Sequence, residues 1–274
     1  MSDANMNYPK EFVKLVKETN GFLEGELLGV GNPASSILLV GKEPAIPKGL
    51  EQQRKLEIEN NYQQWKFNLD MNTDISAVLP MSEINDYNPL FPYKGQKYKV
   101  RIEEVIDGKK KVKQGAEGTS KTWYQYQKLW DCIRFGRDDC HSDIIDYHEH
   151  CFSTELSSAN EKYSSRVIYD DKKKSIEKRK GLLCHPFYQG FPIVILAVGH
   201  YPKEHGIDLE SIFQTKWDTR TRFVGRFWYN IHHSVTNIPK LLIHTNQLSM
   251  VSNVLIKEIA ERCIDFKYKH HLKL

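Results

Sequence analysis

The sequence predicts an α/β layer fold built on a mainly parallel sheet, and three observations lead there. Short apolar runs of buried-strand character recur along the chain: a strand at 36–40 within SSILLVG, FPIVILAVGHYP at 191–202 and PKLLIHTNQLS at 239–249. Near-continuous apolar strands belong to sheets covered on both faces. Stretches with helical spacing separate these runs, so strands and helices alternate. Each strand also ends in polar, titratable residues, at the rim where such folds place their functional crevice.

The elements follow in order. Positions 9–19, PKEFVKLVKET, interleave Phe12, Val13, Leu15 and Val16 with charges and read as an amphipathic helix stopped at Asn20-Gly21. GVGNPASS is a turn. It is no dinucleotide fingerprint, because it precedes its strand instead of following one. Residues 50–67 read as a helix carrying Trp65 and Phe67 near its end. A hairpin insertion is expected at 97–115, turning at Asp107-Gly108. TSKTWYQYQKLWDCIRF (119–135) is a helix opening on a Thr or Ser cap, with Trp123, Tyr126, Leu129, Trp130 and Ile133 on one side. HEHCFSTEL (148–156) supplies a weakly alternating strand. Residues 160–190 are charged and then helical, and 203–238 are mixed with several aromatics. The last helix, 250–266, sets Val251, Val254, Leu255, Ile259 and Cys263 at core spacing. One domain over 1–274 is expected, with its core about 22–266.

Composition narrows the function classes. With 40% hydrophobic and 27% charged residues the chain is an ordinary globular protein. No apolar run approaches the ~20 residues that cross a bilayer. The N-terminus has no apolar h-region, so a cytoplasmic protein without a membrane partner is expected. Five cysteines without C-x-x-C spacing are read as reduced thiols. The net charge of +4 neither demands nor excludes a nucleic-acid partner. Basic residues bunch at 107–115 and 170–181, which read as solvated turns or helix faces, or as phosphate contacts if they flank the crevice. No P-loop and no G-x-S-x-G occurs. His148 and His150 would share one face of a strand, but they lack matching carboxylates, so no metal site is expected.

The strand ends read Gly41-Lys42-Glu43-Pro44, Ser153-Thr154-Glu155, Gly199-His200-Tyr201 and His244-Thr245-Asn246. In that order VGKEPA, FSTELSS and IHTNQLS resemble the signatures of the uracil-DNA glycosylase superfamily, and are similar to those of a divergent bacterial branch of it. The resemblance implies a three-layer α/β/α fold with a short parallel sheet of spatial order 2-1-3-4. It implies a DNA partner, no cofactor, no iron–sulfur cluster and a monomer. Glu43 stands where several branches place the Asp or Asn that positions the attacking water. His244 takes the place of the histidine in the second signature, and Thr154 that of a base-reading Asn. Gly41, Lys42, Pro44, Thr154, Thr245, Asn246 and Gln247 would form the base pocket. Thr245 and Asn246 depart from the Pro-Ser of most branches and Thr154 from Asn, so the base recognised need not be uracil.

Cleaving an N-glycosidic bond needs a placed water, stabilisation of a cationic sugar and a way to take charge off the departing base. A carboxylate and a histidine suit those tasks. Glu43 has a plain alternative as a cap or ion-pair carboxylate, and His244 as a hydrogen-bonded histidine at the core boundary. Trp65, Trp123 and Trp130 are expected in the core, whereas Phe67 and Tyr201 are aromatics a flipped base could stack on. Two other functions share these residues: a non-catalytic nucleic-acid-binding protein on the same fold, and a nucleoside or nucleotide hydrolase.

Overall fold

The computed structural model describes residues 8–17, 23, 25–44, 46, 54–75, 87–90, 92, 97–98, 101–106, 108–114, 120–136, 144–159 and 168–274. The chain enters through helix α1 (Lys10–Lys17) and strands β1 (Val30–Gly31) and β2 (Ile37–Gly41). A π-helical turn, Lys55–Glu59, leads into α2 (Asn61–Asp70). Three short strands follow: β3 (Lys97–Tyr98), β4 (Arg101–Ile106) and β5 (Lys109–Gln114). Next come α3 (Lys121–Phe135), β6 (Ile144–Ile145), α4 (Tyr147–His150) and β7 (Phe152–Glu155). The middle of the chain adds α5 (Tyr169–Leu183), α6 (Pro186–Gln189), β8 (Ile193–Leu196), α7 (Tyr201–Glu204) and α8 (Leu209–Phe213). It closes with β9 (Thr215–Val224), β10 (Phe227–Ser234), β11 (Leu241–Thr245) and α9 (Asn253–His270).

Seven strands form one mixed sheet in the order β1-β7-β2-β8-β11-β10-β9. The centre is parallel, β7 to β2, β2 to β8 and β8 to β11. The flanks are antiparallel, β1 on β7 at one side and the β10–β9 ribbon at the other. "Mainly parallel" therefore describes the centre alone. The ribbon escapes a search for apolar runs because β9, TKWDTRTRFV, buries only Thr215 and carries the charged residues Lys216, Asp218, Arg220 and Arg222. Such an edge is blunted against pairing with other chains. Insertion strands β4 and β5 pair as a separate hairpin, as the sequence predicts.

Alternation along the central strands sorts side chains into two cores. Leu38, Val40, Val194, Leu196 and Leu242 point to one face and pack with Phe12, Trp65, Leu183, Tyr188 and Phe213. Ile37, Leu39, Ile193, Ile195 and Ile243 point to the other and pack with Tyr126, Trp130, Leu255 and Ile259. The first face is thus covered by α1, α2, α5, α6 and α8, and the second by α3 and α9. Both long helices of the second face start on serine caps, Ser120 accepting from the Trp123 amide and Ser252 from the Leu255 amide. Among the described residues no helix is long and apolar enough to cross a membrane.

Some local expectations change. The helix expected at 50–67 is a π turn followed by an α-helix that runs on to Asp70, and its first positions lie outside the described residues. His148 and His150 lie on helix α4, not on a strand, so they do not share a sheet face. His148 is buried, and that burial pushes its pKa down to about 3. Cys132 is disulfide-bonded, while Cys151, Cys184 and Cys263 are free. Reduced thiols throughout, inferred from the lack of C-x-x-C spacing, do not hold at Cys132.

Candidate functional site

The parallel strands end level with one another, Gly41 facing Glu155 across β2–β7 and His244 facing Leu196 across β8–β11. Backbone bonds lock the segments that leave them. The Leu156 amide donates to the Gly41 carbonyl at 2.8 Å and the Ser157 amide to Lys42 at 2.9 Å, while Ala197 donates to Val40 at 2.8 Å. Beyond these ends opens a cavity of about 300 Å³. Its floor is Gly41 to Pro44, Ser153 to Glu155, Ala197 and Gln247, and its walls include Trp123, Tyr126, Tyr87, Ile46, Ile58 and Glu57.

Glu43 sits two residues past the end of β2. The Tyr201 hydroxyl, from the first turn of α7, donates to its Oε2 at 2.5 Å. Oε1 is buried and has no hydrogen-bond partner among the described residues. Two ammonium groups lie over the Tyr201 ring, Lys42 Nζ at 4.6 Å and Lys172 Nζ at 5.0 Å from its centroid. They bring positive charge to the phenol that holds the carboxylate. The sequence offers Tyr201 only as a stacking aromatic; in the structure it is buried and orients Glu43.

A second carboxyl shares the floor. Glu155 lies so close over Gly41 that a Cβ built at position 41 would be 2.1 Å from its Oε2 and 2.8 Å from its Cδ. Any side chain at 41 would push this carboxyl aside. Glu155 Oε2 also lacks a hydrogen-bond partner among the described residues. Burial, and next the charge of Glu43, push its pKa up to about 8, with Arg179 pulling the other way. Sequence reasoning places Glu155 on the rim but gives it no role.

Arg179 supports this end of the sheet from below. It is fully buried on α5, although it belongs to the basic run 170–181. Its Nε donates to the Glu155 carbonyl at 3.0 Å, Nη1 to the Leu27 carbonyl and Nη2 to Thr154 Oγ1 at 2.5 Å. Burial lowers its pKa, and three acceptors compensate. Neighbouring Lys178 instead reaches out to Glu26 at 3.1 Å, so the run is not one uniform phosphate-facing surface.

The remaining sequence-predicted residues divide. Gly41, Lys42, Glu43, Pro44, Thr154 and Gln247 line the cavity. Thr154 has its hydroxyl committed, donating to the Leu28 carbonyl at 2.8 Å while accepting from Arg179, which removes it as a free base-reading group. Thr245 and Asn246 hold the neighbouring ribbon: Thr245 Oγ1 donates to the Trp228 carbonyl at 2.6 Å and Asn246 Oδ1 accepts from the Trp228 amide at 2.8 Å. His244 does not line this cavity. By alternation it shares a face with Leu242, on the side of the sheet away from α3. Its Nε2 lies 2.7 Å from the Gly199 carbonyl and its ring meets Trp228 edge-on at 4.9 Å. Burial is the main cause that brings its pKa down to about 4; the Gly199 carbonyl opposes it, and His232 and His200 add to it. The neutral ring must then carry its proton on Nε2 to satisfy that carbonyl. The expected facing of His244 and Glu43 across the cleft finds no contact to carry it: His244 is absent from the cavity lining and its ring is engaged by Gly199 and Trp228.

Of the aromatics, Trp65 and Trp130 are core, Trp123 reaches the cavity wall, and Phe67 is exposed on α2. No group of three or more His, Cys, Asp or Glu residues is placed to hold a metal ion among the described residues. No protein-family model matches the chain, and a search of curated proteins finds no match.

Proposed function

We propose that this chain is a DNA N-glycosylase on a three-layer α/β/α fold of the uracil-DNA glycosylase type, hydrolysing the bond between sugar and a flipped-out base. The observation that carries the reading is Glu43: a carboxylate at the floor of a cavity of about 300 Å³, one oxygen held by Tyr201 and the other without a hydrogen-bond partner among the described residues. That oxygen orients water toward the sugar carbon, and the negative charge favours the oxocarbenium-like sugar. Trp123, Tyr126 and Tyr87 give the walls the aromatic character that an extruded base requires. The neighbouring of the parallel strands 152–155, 37–41, 193–196 and 241–245 at the centre of the sheet supports the 2-1-3-4 order that the resemblance implies. His244 acts at a remove in this reading, holding the Gly199 turn against which Lys42 packs.

DNA as the partner draws support from the β9–β10 ribbon. Tyr229 pairs with Thr245, the last residue of β11, so the ribbon runs on past the rim to a tip at 224–227. Phe223 there is 72% exposed, and Arg220 and Arg226 are exposed beside it, a basic and aromatic tip of the kind that meets phosphates and bases. A second reading, hydrolysis of free nucleosides, has its own support: three glutamates (Glu43, Glu57 and Glu155) line the cavity against Lys42. Incubation with oligonucleotides carrying uracil, hypoxanthine or modified pyrimidines, followed by alkaline strand cleavage, tests the proposal. Cleavage with any substrate supports it, turnover of free nucleosides alone supports the second reading, and DNA binding without product on the whole panel favours a non-catalytic binder.

A further inference from the structure

Two carboxyl oxygens in the cavity, Glu43 Oε1 and Glu155 Oε2, are both buried and both lack a hydrogen-bond partner among the described residues. They belong to the two strand ends that lie in register, so the side chains share one small floor. Two carboxyls at close quarters in a site of low dielectric do not both ionise readily, and one keeps its proton. The surroundings decide which. Glu43 receives the Tyr201 hydroxyl, a donor that suits a carboxylate, and lies near two ammonium groups on that ring. Glu155 is pressed over Gly41, and the guanidinium of Arg179 near it is spent on its backbone carbonyl, on Leu27 and on Thr154.

We infer that Glu155 is the acid of this site, a protonated carboxyl whose partner is Glu43 and whose proton goes to the departing base. The inference rests on the glycosylase reading above and adds the proton donor that reading lacks, since His244 is not among the residues that line the cavity. The step balances. The bond between sugar carbon and base nitrogen breaks with its electron pair going to the base, which takes the Glu155 proton. Water oxygen bonds to the sugar carbon and its proton passes to the Glu43 carboxylate. Each turnover thus leaves the proton on Glu43, and its return to Glu155 resets the pair. The charged and titratable groups facing Glu155 are Glu43 from the segment after β2, Arg179 from α5 and the Tyr126 hydroxyl from α3. Glu43 and Arg179 act on it in opposite senses, and burial sides with Glu43.

Infrared spectra of the intact protein and of Glu155→Gln test the protonation without any turnover. A protonated-carboxyl stretch at pH 7 should be present in the wild type, absent in Glu155→Gln, and should titrate at lower pH in Glu43→Gln. Single-turnover excision tests the chemistry. Glu155→Gln should slow removal of a base that leaves poorly as an anion by about 10²-fold, and of a base that leaves readily by far less, because a general acid matters in proportion to leaving-group basicity. The alkaline limb of the wild-type rate profile should vanish in the same variant. Equal slowing of both bases, a wild-type rate, or a spectrum with no carboxyl band that Glu155→Gln removes would overturn the inference. A glycosylase reading that fails shows itself differently: the wild type then releases no base at all, whatever the infrared band does.

Discussion

Replacing Arg179 with Met keeps most of the aliphatic volume and removes only the charged head. In the native protein that head makes three hydrogen bonds, to the carbonyls of Glu155 and Leu27 and to the Thr154 hydroxyl, all in a fully buried setting. Charge-assisted bonds of this kind contribute roughly 1.5–3 kcal/mol apiece, and several kcal/mol are returned when the guanidinium no longer has to shed its water. The two carbonyls stay behind without partners, whereas Thr154 keeps its bond to Leu28. The net loss should be about 3 kcal/mol, which for a chain of this size lowers Tm by roughly 6–12 °C. Urea unfolding at pH 7 reads it, with Lys178→Met as the control. Lys178 is one residue away but 71% exposed, and its ion pair with Glu26 should be worth less than about 1 kcal/mol. A loss below about 1 kcal/mol for Arg179→Met, or equal effects of the two substitutions, would refute the view that Arg179 anchors the strand ends.

Three more outcomes are expected. In Gly41→Ala the new Cβ would lie 2.1 Å from Glu155 Oε2, so the carboxyl must swing out; overpacking should cost about 1–3 kcal/mol and lower the Glu155 titration midpoint, and an unchanged midpoint would contradict the packing described. Glu155, raised from 4.5 to about 8, holds a proton in the folded state that the unfolded chain has lost, so its contribution to stability falls as pH rises between those values. His244, lowered from 6.5 to about 4, works in the opposite sense, its contribution falling as pH drops through that window. Glu155→Gln should therefore gain on the wild type in urea titrations from pH 5 to pH 8, and parallel curves would count against the assignment. Finally, charge removal at the ribbon tip, Arg220→Gln with Arg226→Gln, should weaken binding to any DNA sequence and reduce the salt slope by about 2, while an unchanged slope would free the ribbon of that role.

The sequence makes the central strands legible because ILLV, IVIL and LLIH are apolar runs whose burial on both faces leaves little alternative. The serine cap of α3 and the Asp107-Gly108 hairpin signal likewise lead to the elements observed. The ribbon of β9 and β10 is not legible, since its stability lies in pairing with β11 rather than in an apolar pattern of its own. At the site, Glu43 follows from its position just past a buried strand. Glu155 does not, because its role depends on the register that sets it over Gly41. Arg179 is hidden in a run of lysines, and only the helix phase shows that it and Lys172 turn inward while Lys178 stays out. That the His244 ring is engaged by the Gly199 carbonyl and Trp228 is likewise not legible, because both partners come from other segments of the chain.

The most direct test of the account is single-turnover excision by folded Glu43→Gln, using an oligonucleotide on which the wild type releases base. The substitution keeps a group able to meet the Tyr201 hydroxyl and removes the charge to which the proposed function gives the placing of water and the favouring of the cationic sugar. Excision should fall by about 10²-fold or more while DNA affinity is kept. A folded Glu43→Gln protein that excises at the wild-type rate would remove this carboxylate from the chemistry and contradict the central claim.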